Sequence, residues 1–174
     1  MSLIPYKQAT AMLVYNKNST VQRLIHAMKF HGRCDLCTIM GRQLGLDLMG
    51  SGRFDDVDLL LPVPLHWRRR LSRGYNQSEL LCRGIAEVMQ RPISVGDLVR
   101  FKYTRKQSQQ TRGRRSSNVD GAFRVAHPQR LAGKHVLLVD DVITSGSTLA
   151  ACAKALVTVP DIRISVATLS IAGS

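Results

Sequence analysis

Two adjacent carboxylates, Asp140 and Asp141, follow the apolar run Val136 to Val139, and a hydroxyl-rich loop, Thr144-Ser145-Gly146-Ser147-Thr148, comes shortly after them. The apolar run predicts a buried strand, His135 to Val139, and the residues from about Ser147 to Val157 predict a helix. In open α/β sheets, ligands sit just beyond the carboxyl ends of the strands, which is where this loop falls. A helix that starts there offers unsatisfied backbone N–H groups and the positive end of its dipole, the ingredients of a phosphate cradle. Gly146 suits such a loop because a side chain would block close approach of the backbone to an anion or forbid a positive φ. Two carboxylates beside a phosphate would repel it unless they face hydroxyl donors or a divalent cation. A sugar phosphate meets both demands.

Competing phosphate motifs are absent. A Walker A loop needs Gly-x4-Gly-Lys-Ser/Thr and a dinucleotide fingerprint needs Gly-x-Gly-x-x-Gly after a strand; neither occurs here. A strand ending in two aspartates also opens receiver domains, but only 33 residues follow Asp141. The plain structural alternative is that the acids cap a helix and the Ser/Thr run is a solvated turn.

The elements that must position this segment can be read from periodicity. Leu24, Ile25 and Met28 recur at helical spacing from Val21 to Phe30, after the candidate caps Ser19 and Thr20, and Asp35 to about Met49 predicts a second helix. Val57 to Leu61 predicts a short buried parallel strand stopped by Pro62 and Pro64. Ser78 to Met89 predicts an amphipathic helix, Ile93 to Val99 a short strand, Arg100 to Ser117 a long exposed loop, and Ile162 to Leu169 a final strand. Alternating strands and helices imply a parallel sheet with helices on its faces. At 174 residues the chain suits one domain, 44% hydrophobic and 21% charged, as ordinary globular proteins are. No apolar stretch approaches the ~20 residues that span a bilayer, and Met1 to Thr10 lacks a secretory signal core, so a cytoplasmic protein without membrane insertion is expected.

The net charge of +13 points to anionic partners. Seven of the 25 lysines and arginines lie between Arg100 and Arg115 with no acid among them, and four more lie between Arg68 and Arg73. Surface arginines of the second group are expected to form a solvated helix start. Lys29 and His66 are ligand candidates, although a lone basic residue at a helix end is commonly structural. Cys34, Cys37, Cys82 and Cys152 are too few and scattered for a disulfide framework and are expected to be free thiols, Cys34 and Cys37 sharing one helix face.

The segment Val136 to Leu149 resembles the phosphoribosyl pyrophosphate (PRPP) motif of the type I phosphoribosyltransferases: apolar residues, two acids, then a small Thr/Ser/Gly loop. Further stretches narrow the resemblance to the ComF group (competence protein F), which is similar also to the gluconate-utilisation protein GntX. They are Lys29-Phe30-His31-Gly32, Leu61 to Arg69 (LPVPLHWRR), Arg73 to Leu81 (RGYNQSELL), and Asn118-Val119 followed by Ala122-Phe123. The resemblance implies a type I phosphoribosyltransferase fold, a central parallel sheet flanked by helices with a small hood region. It divides one domain into an N-terminal helical or hood part, residues 1–56, and a core, residues 57–174. Family members often begin with a four-cysteine zinc ribbon; residues 1–33 hold no cysteine, so no zinc is expected in this chain.

By the same resemblance, Asp140 and Asp141 hold the ribose 2- and 3-hydroxyls, with Mg2+ bound alongside PRPP at the same two aspartates. Thr144, Ser145, Gly146, Ser147 and Thr148 bind the 5-phosphate, and Pro64, Leu65 and His66 contact pyrophosphate. Arg105, Arg112 and Arg115 belong to a catalytic loop that closes over the leaving group, where positioned cations stabilise developing charge. The expected function is transfer of phosphoribosyl to an unidentified nitrogen acceptor. The alternative is a non-catalytic module that senses PRPP or a nucleotide and binds single-stranded DNA or partner proteins in DNA uptake.

Overall fold

The computed structural model describes residues 6–102 and 121–173. Its centre is a four-stranded parallel sheet of β1 (Ala9–Tyr15), β2 (Leu59–Pro62), β5 (His135–Ile143) and β6 (Arg163–Ala172), in the order β1-β6-β5-β2. Strand alternation splits the core in two. Leu59, Leu61, Val136, Leu138, Ile164 and Val166 face α5 (Ser147–Leu156) and the antiparallel pair β3 (Leu98–Arg100) and β4 (Phe123–Val125). Leu60, Leu137, Val139, Ala167 and Leu169 face α1 (Thr20–Phe30), α2 (Cys34–Gly50) and α4 (Gln77–Met89). The central strand β5 is buried on both faces, which is why it reads as a continuous apolar run.

Three features depart from the sequence expectations. The N-terminal part is more than helices: β1 pairs with β6, Ala9 opposite Val166, and forms an edge of the central sheet. Pro62 closes β2 from inside the strand, because β2 is the other edge and Leu60 donates outward to Pro92 O, so the missing N–H of Pro62 points away from β5. The strand β5 continues to Ile143, four residues beyond the expected end, since β6 runs alongside with Asp140 opposite Thr168 and Ile143 opposite Ile171. Both aspartates therefore lie within a strand.

The basic residues expected to form a solvated helix start do begin a short helix, α3 (Trp67–Arg73), capped by His66, whose Nδ1 accepts from Arg68 N. β4 sits beyond the basic stretch and pairs with β3, Arg100 opposite Phe123. The helices α2 and α4 pack at glycine contacts: a Cβ on Gly84 would collide with the Thr38 carbonyl oxygen and the Arg42 amide nitrogen, and one on Gly41 with the Leu81 carbonyl oxygen. That close crossing fixes the start of α4 over the carboxyl end of β5. All four cysteines are free, with Cys37, Cys82 and Cys152 buried.

Candidate functional site

A cleft of about 400 Å3 opens at the carboxyl end of β5, lined among others by Asp140, Asp141, Thr144 and Thr148. Alternation along β5 sends the two neighbouring carboxylates toward opposite faces of the sheet. Asp141 follows Leu137 and Val139 toward the helical layer, where Lys29 of α1 meets it at 2.8 Å. Asp140 Oδ1 accepts the Asp141 backbone N–H at 2.9 Å and the Ser78 hydroxyl at 3.2 Å. They line one cleft because the strand is ending and helices approach its tip from above.

Burial pushes Asp140 up to about 7, and the neighbouring Asp141 charge adds to the rise. The Asp141 amide, Lys29 and the Ser78 hydroxyl oppose it. A carboxyl group with this affinity exchanges its proton near neutrality, so it accepts hydrogen bonds from ligand hydroxyls best once ionised.

The linker into α4 ties α1 to the end of β2. Asn76 caps α4 by accepting from Ser78 N at 3.2 Å, while its amide donates to Val63 O at 3.0 Å. Tyr75 Oη and Gln77 Nε2 both donate to Met28 O, at 2.7 and 3.3 Å, and so hold the end of α1 over the cleft. Lys29 is thereby delivered to Asp141 by a tethered backbone rather than by a free surface helix.

The loop from β5 into α5 turns at Gly146. Gly146 caps α5 at φ 71, ψ −2, a left-handed geometry that penalises other residues, whereas nothing lies within 4 Å of a Cβ placed there. Glycine is needed here for its φ, not for space. Ser145 and Ser147 share a hydroxyl contact at 3.0 Å, and the first amides of α5 have no intrahelical acceptor. Thr144 and Thr148 line the cleft, with the Ser145-Gly146-Ser147 backbone forming the turn between them.

Pro64 and Leu65 also line the cleft, whereas His66 is buried under it as the α3 cap and is not among the lining residues. Burial, then the charges of Arg100, Arg68 and Arg69, push the His66 imidazole down. Arg105, Arg112 and Arg115 lie outside the described residues. The structure adds residues that local sequence did not bring to the site: Arg69 and Arg73 of α3, Arg100 of β3, and Gln22 and His26 of α1. Pattern offered one signal for the first pair, since positions 69 and 73 share a helix face. Among charged side chains, Lys29, Arg69, Arg73 and Arg100 outnumber Asp140 and Asp141 in the lining, which favours an anionic ligand.

No group of three or more His, Cys, Asp or Glu suited to a metal converges among the described residues. Magnesium does not require one, because it keeps waters and takes one or two carboxylates together with substrate phosphates. Asp140 and Asp141 meet that smaller demand. None of the helices among the described residues is long and apolar enough to cross a membrane.

Comparison with known proteins agrees with this geometry. A family model described as the phosphoribosyl transferase domain matches residues 76–170. The DNA utilization protein YhgH of Shigella flexneri is 34% identical over 136 residues, 76% of this chain and 59% of that protein. Competence protein F of Haemophilus influenzae is 33% identical over 137 residues, 76% of this chain and 60% of that protein. The chain thus spans about three fifths of the length of these relatives. Glutamine PRPP amidotransferase from B. subtilis, solved with ADP and GMP, shares the fold with a TM-score of 0.52 at 18% identity, over 82% of this chain and 30% of that one. A match that starts at the cap of α4 and runs into β6, joined by relatives named for competence and DNA utilization, places the chain in the phosphoribosyl transferase domain family, as a type I phosphoribosyltransferase-like protein of the ComF group.

Proposed function

We propose that the cleft binds PRPP and that the protein transfers its phosphoribosyl group to a nitrogen acceptor. The observation that carries this reading is the meeting, in one cleft, of Asp140, Asp141 and the loop whose Gly146 turns the chain into α5. The 5-phosphate sits on the first amides of α5 with the hydroxyls of Thr144 and Thr148, and the ribose hydroxyls donate to Asp140 and Asp141. In the reaction the bond from C1 to the pyrophosphate oxygen breaks and pyrophosphate leaves with the electron pair. The acceptor nitrogen forms the new bond to C1 and gives up its proton. Orientation and placed charge supply the rate, with no covalent intermediate on the protein. A bound Mg2+ would add neutralisation of the pyrophosphate charge, with Asp140 and Asp141 as its protein ligands.

The experiment is calorimetric titration of PRPP with Mg2+ into the parent and into Asp140→Asn plus Asp141→Asn. Binding in the parent and its loss in the folded double variant is the expected result. Absence of binding in the parent overturns the reading. Pyrophosphate release on screening nitrogen heterocycles then tests transfer itself.

A second reading keeps the ligand and drops the chemistry: a PRPP or nucleotide sensor that acts with single-stranded DNA or uptake proteins. The names of the relatives and the net charge of +13 support it. Salt-sensitive DNA binding, with no pyrophosphate released by any acceptor, favours this module. Both readings assign the protein to the cytosol.

A further inference from the structure

The residues of α3 divide by face. Arg69 and Arg73, four apart, line the cleft, which leaves Trp67 and Leu71, also four apart, on the side of the helix turned away from it. Neither is sheltered: Trp67 is 57% exposed and Leu71 75%. No residue of α3 is buried, so this outer face adds nothing to the core. Trp67 is the only tryptophan of the chain, a side chain that elsewhere buries about 150 Å2 or more. The Arg68 guanidinium lies over its ring at 5.2 Å, and the His66 ring is centred 5.6 Å from it, two neighbours that restrain the indole. Arg70 pairs with Glu79 at 3.0 Å, and of the two it is Arg70, 54% exposed against 14%, that meets solvent.

We propose that the outer face of α3, outside the cleft, is a docking surface for single-stranded nucleic acid, with a base stacked on Trp67 and the flanking phosphates against Arg68 and Arg70. The proposal rests on the second reading above, which invokes such a strand without a surface to hold it. Every base has a π face, and a single strand can turn those faces outward, so an exposed indole backed by a cation suits it whatever the base order. A duplex keeps its bases stacked and offers only their edges, in grooves. Leu71 lies beside the indole and extends the apolar platform under base and sugar. Charge selects among partners: 25 lysines and arginines against 12 acids repel a second copy of the chain and attract a polyanion. A lipid surface fits less well, because a helix lying in a membrane needs a large apolar face, and α3 carries two large apolar residues among four arginines.

Because Trp67 is the sole tryptophan, its emission reports stacking directly. A labelled oligothymidylate is titrated into the parent, Trp67→Phe, Trp67→Ala, Arg68→Gln and Lys134→Ala, with anisotropy reading affinity and tryptophan fluorescence reading contact. Lys134 is exposed and precedes β5, at the opposite end of the sheet from the cleft, so its variant controls for net charge. The parent should bind with quenched emission. Trp67→Ala should weaken binding by about tenfold, and Trp67→Phe, which keeps a ring, by much less. Arg68→Gln should reduce the salt slope by about one, and more than Lys134→Ala does. Unquenched emission together with parent-like binding by Trp67→Ala overturns the surface alone. So does a Trp67→Phe variant as weak as Trp67→Ala, or a Lys134→Ala variant that costs as much as Arg68→Gln. A duplex that quenches equally overturns the single-strand assignment, and emission that shifts to the blue with phosphatidylglycerol vesicles but ignores the oligonucleotide gives the face to lipid instead. A parent that binds no oligothymidylate removes the second reading along with the surface.

Discussion

Lys29 Nζ lies 2.8 Å from Asp141 Oδ2, with only 18% and 13% of the two side chains exposed. This contact joins the end of α1 to the end of β5, so a helix from the N-terminal part and the carboxyl end of the central strand share one ion pair. A largely buried pair of this kind is worth less than its Coulomb energy, because both ions lost water to form it. Removing one member still leaves the other stranded.

Lys29→Met should therefore destabilise the fold by about 1 to 3 kcal/mol, and adding Asp141→Asn should recover part of that loss. Denaturant unfolding of the two single variants and the double variant gives the coupling energy. Additive losses would show that the pair contributes nothing to stability.

Asp140 makes the stability depend on pH. Its proton affinity is raised from 3.8 to about 7 in the folded state, so between those values the folded chain holds a proton that the unfolded chain has released. The contribution of this group to stability then falls as pH rises through that window and is fully lost above it. Asp140→Asn removes the dependence: it should match the parent near pH 4 and exceed it near pH 8 in melting temperature. Ligand hydroxyls need the ionised carboxylate, so PRPP affinity of the parent should rise from pH 6 to pH 8. A parent whose stability is flat across the window refutes the assignment.

Gly84→Ala should cost about 2 kcal/mol or more, because the added methyl meets backbone atoms of Thr38 and Arg42 that cannot move without separating α2 from α4. Gly146→Ala should behave differently. It meets open space, and only the positive φ penalises it, so about 1 kcal/mol is expected. Thermal melts of the two variants side by side check the ranking.

Thr168 sits opposite Asp140 on β6, fully buried, and among the described residues its Oγ1 has no hydrogen-bond partner. Thr168→Val keeps the shape and removes the unmet hydroxyl, and should stabilise the fold by up to about 1 kcal/mol. Loss of stability in that variant would mean that the hydroxyl is satisfied in solution.

Much of the site was legible because it is contiguous. The apolar run, the two acids, the small hydroxyl loop and the next helix follow one another within Val136 to Leu149, and each step is set by local propensity and hydrogen bonding. The extent of the strand was less legible: its last four residues are held by β6, which lies later in the chain, and Asp140 and Asp141, poor strand formers, interrupt the apolar run before Val142 and Ile143. The edge strand β1 was missed for a related reason. Its residues are exposed or half-buried, so Ala9–Tyr15 shows no clean apolar alternation.

Local residue order was enough to specify the parallel α/β class, the paired aspartates and the glycine turn into α5. Tertiary structure decided which distant cations face them. Lys29 comes from α1 and Arg100 from β3, and both line one cleft with Asp140 and Asp141 because separate helices and the β3–β4 pair pack around one end of the β1-β6-β5-β2 sheet. Local periodicity tells each side chain which face of its own element it occupies. Burial of the whole core decides what that face will meet.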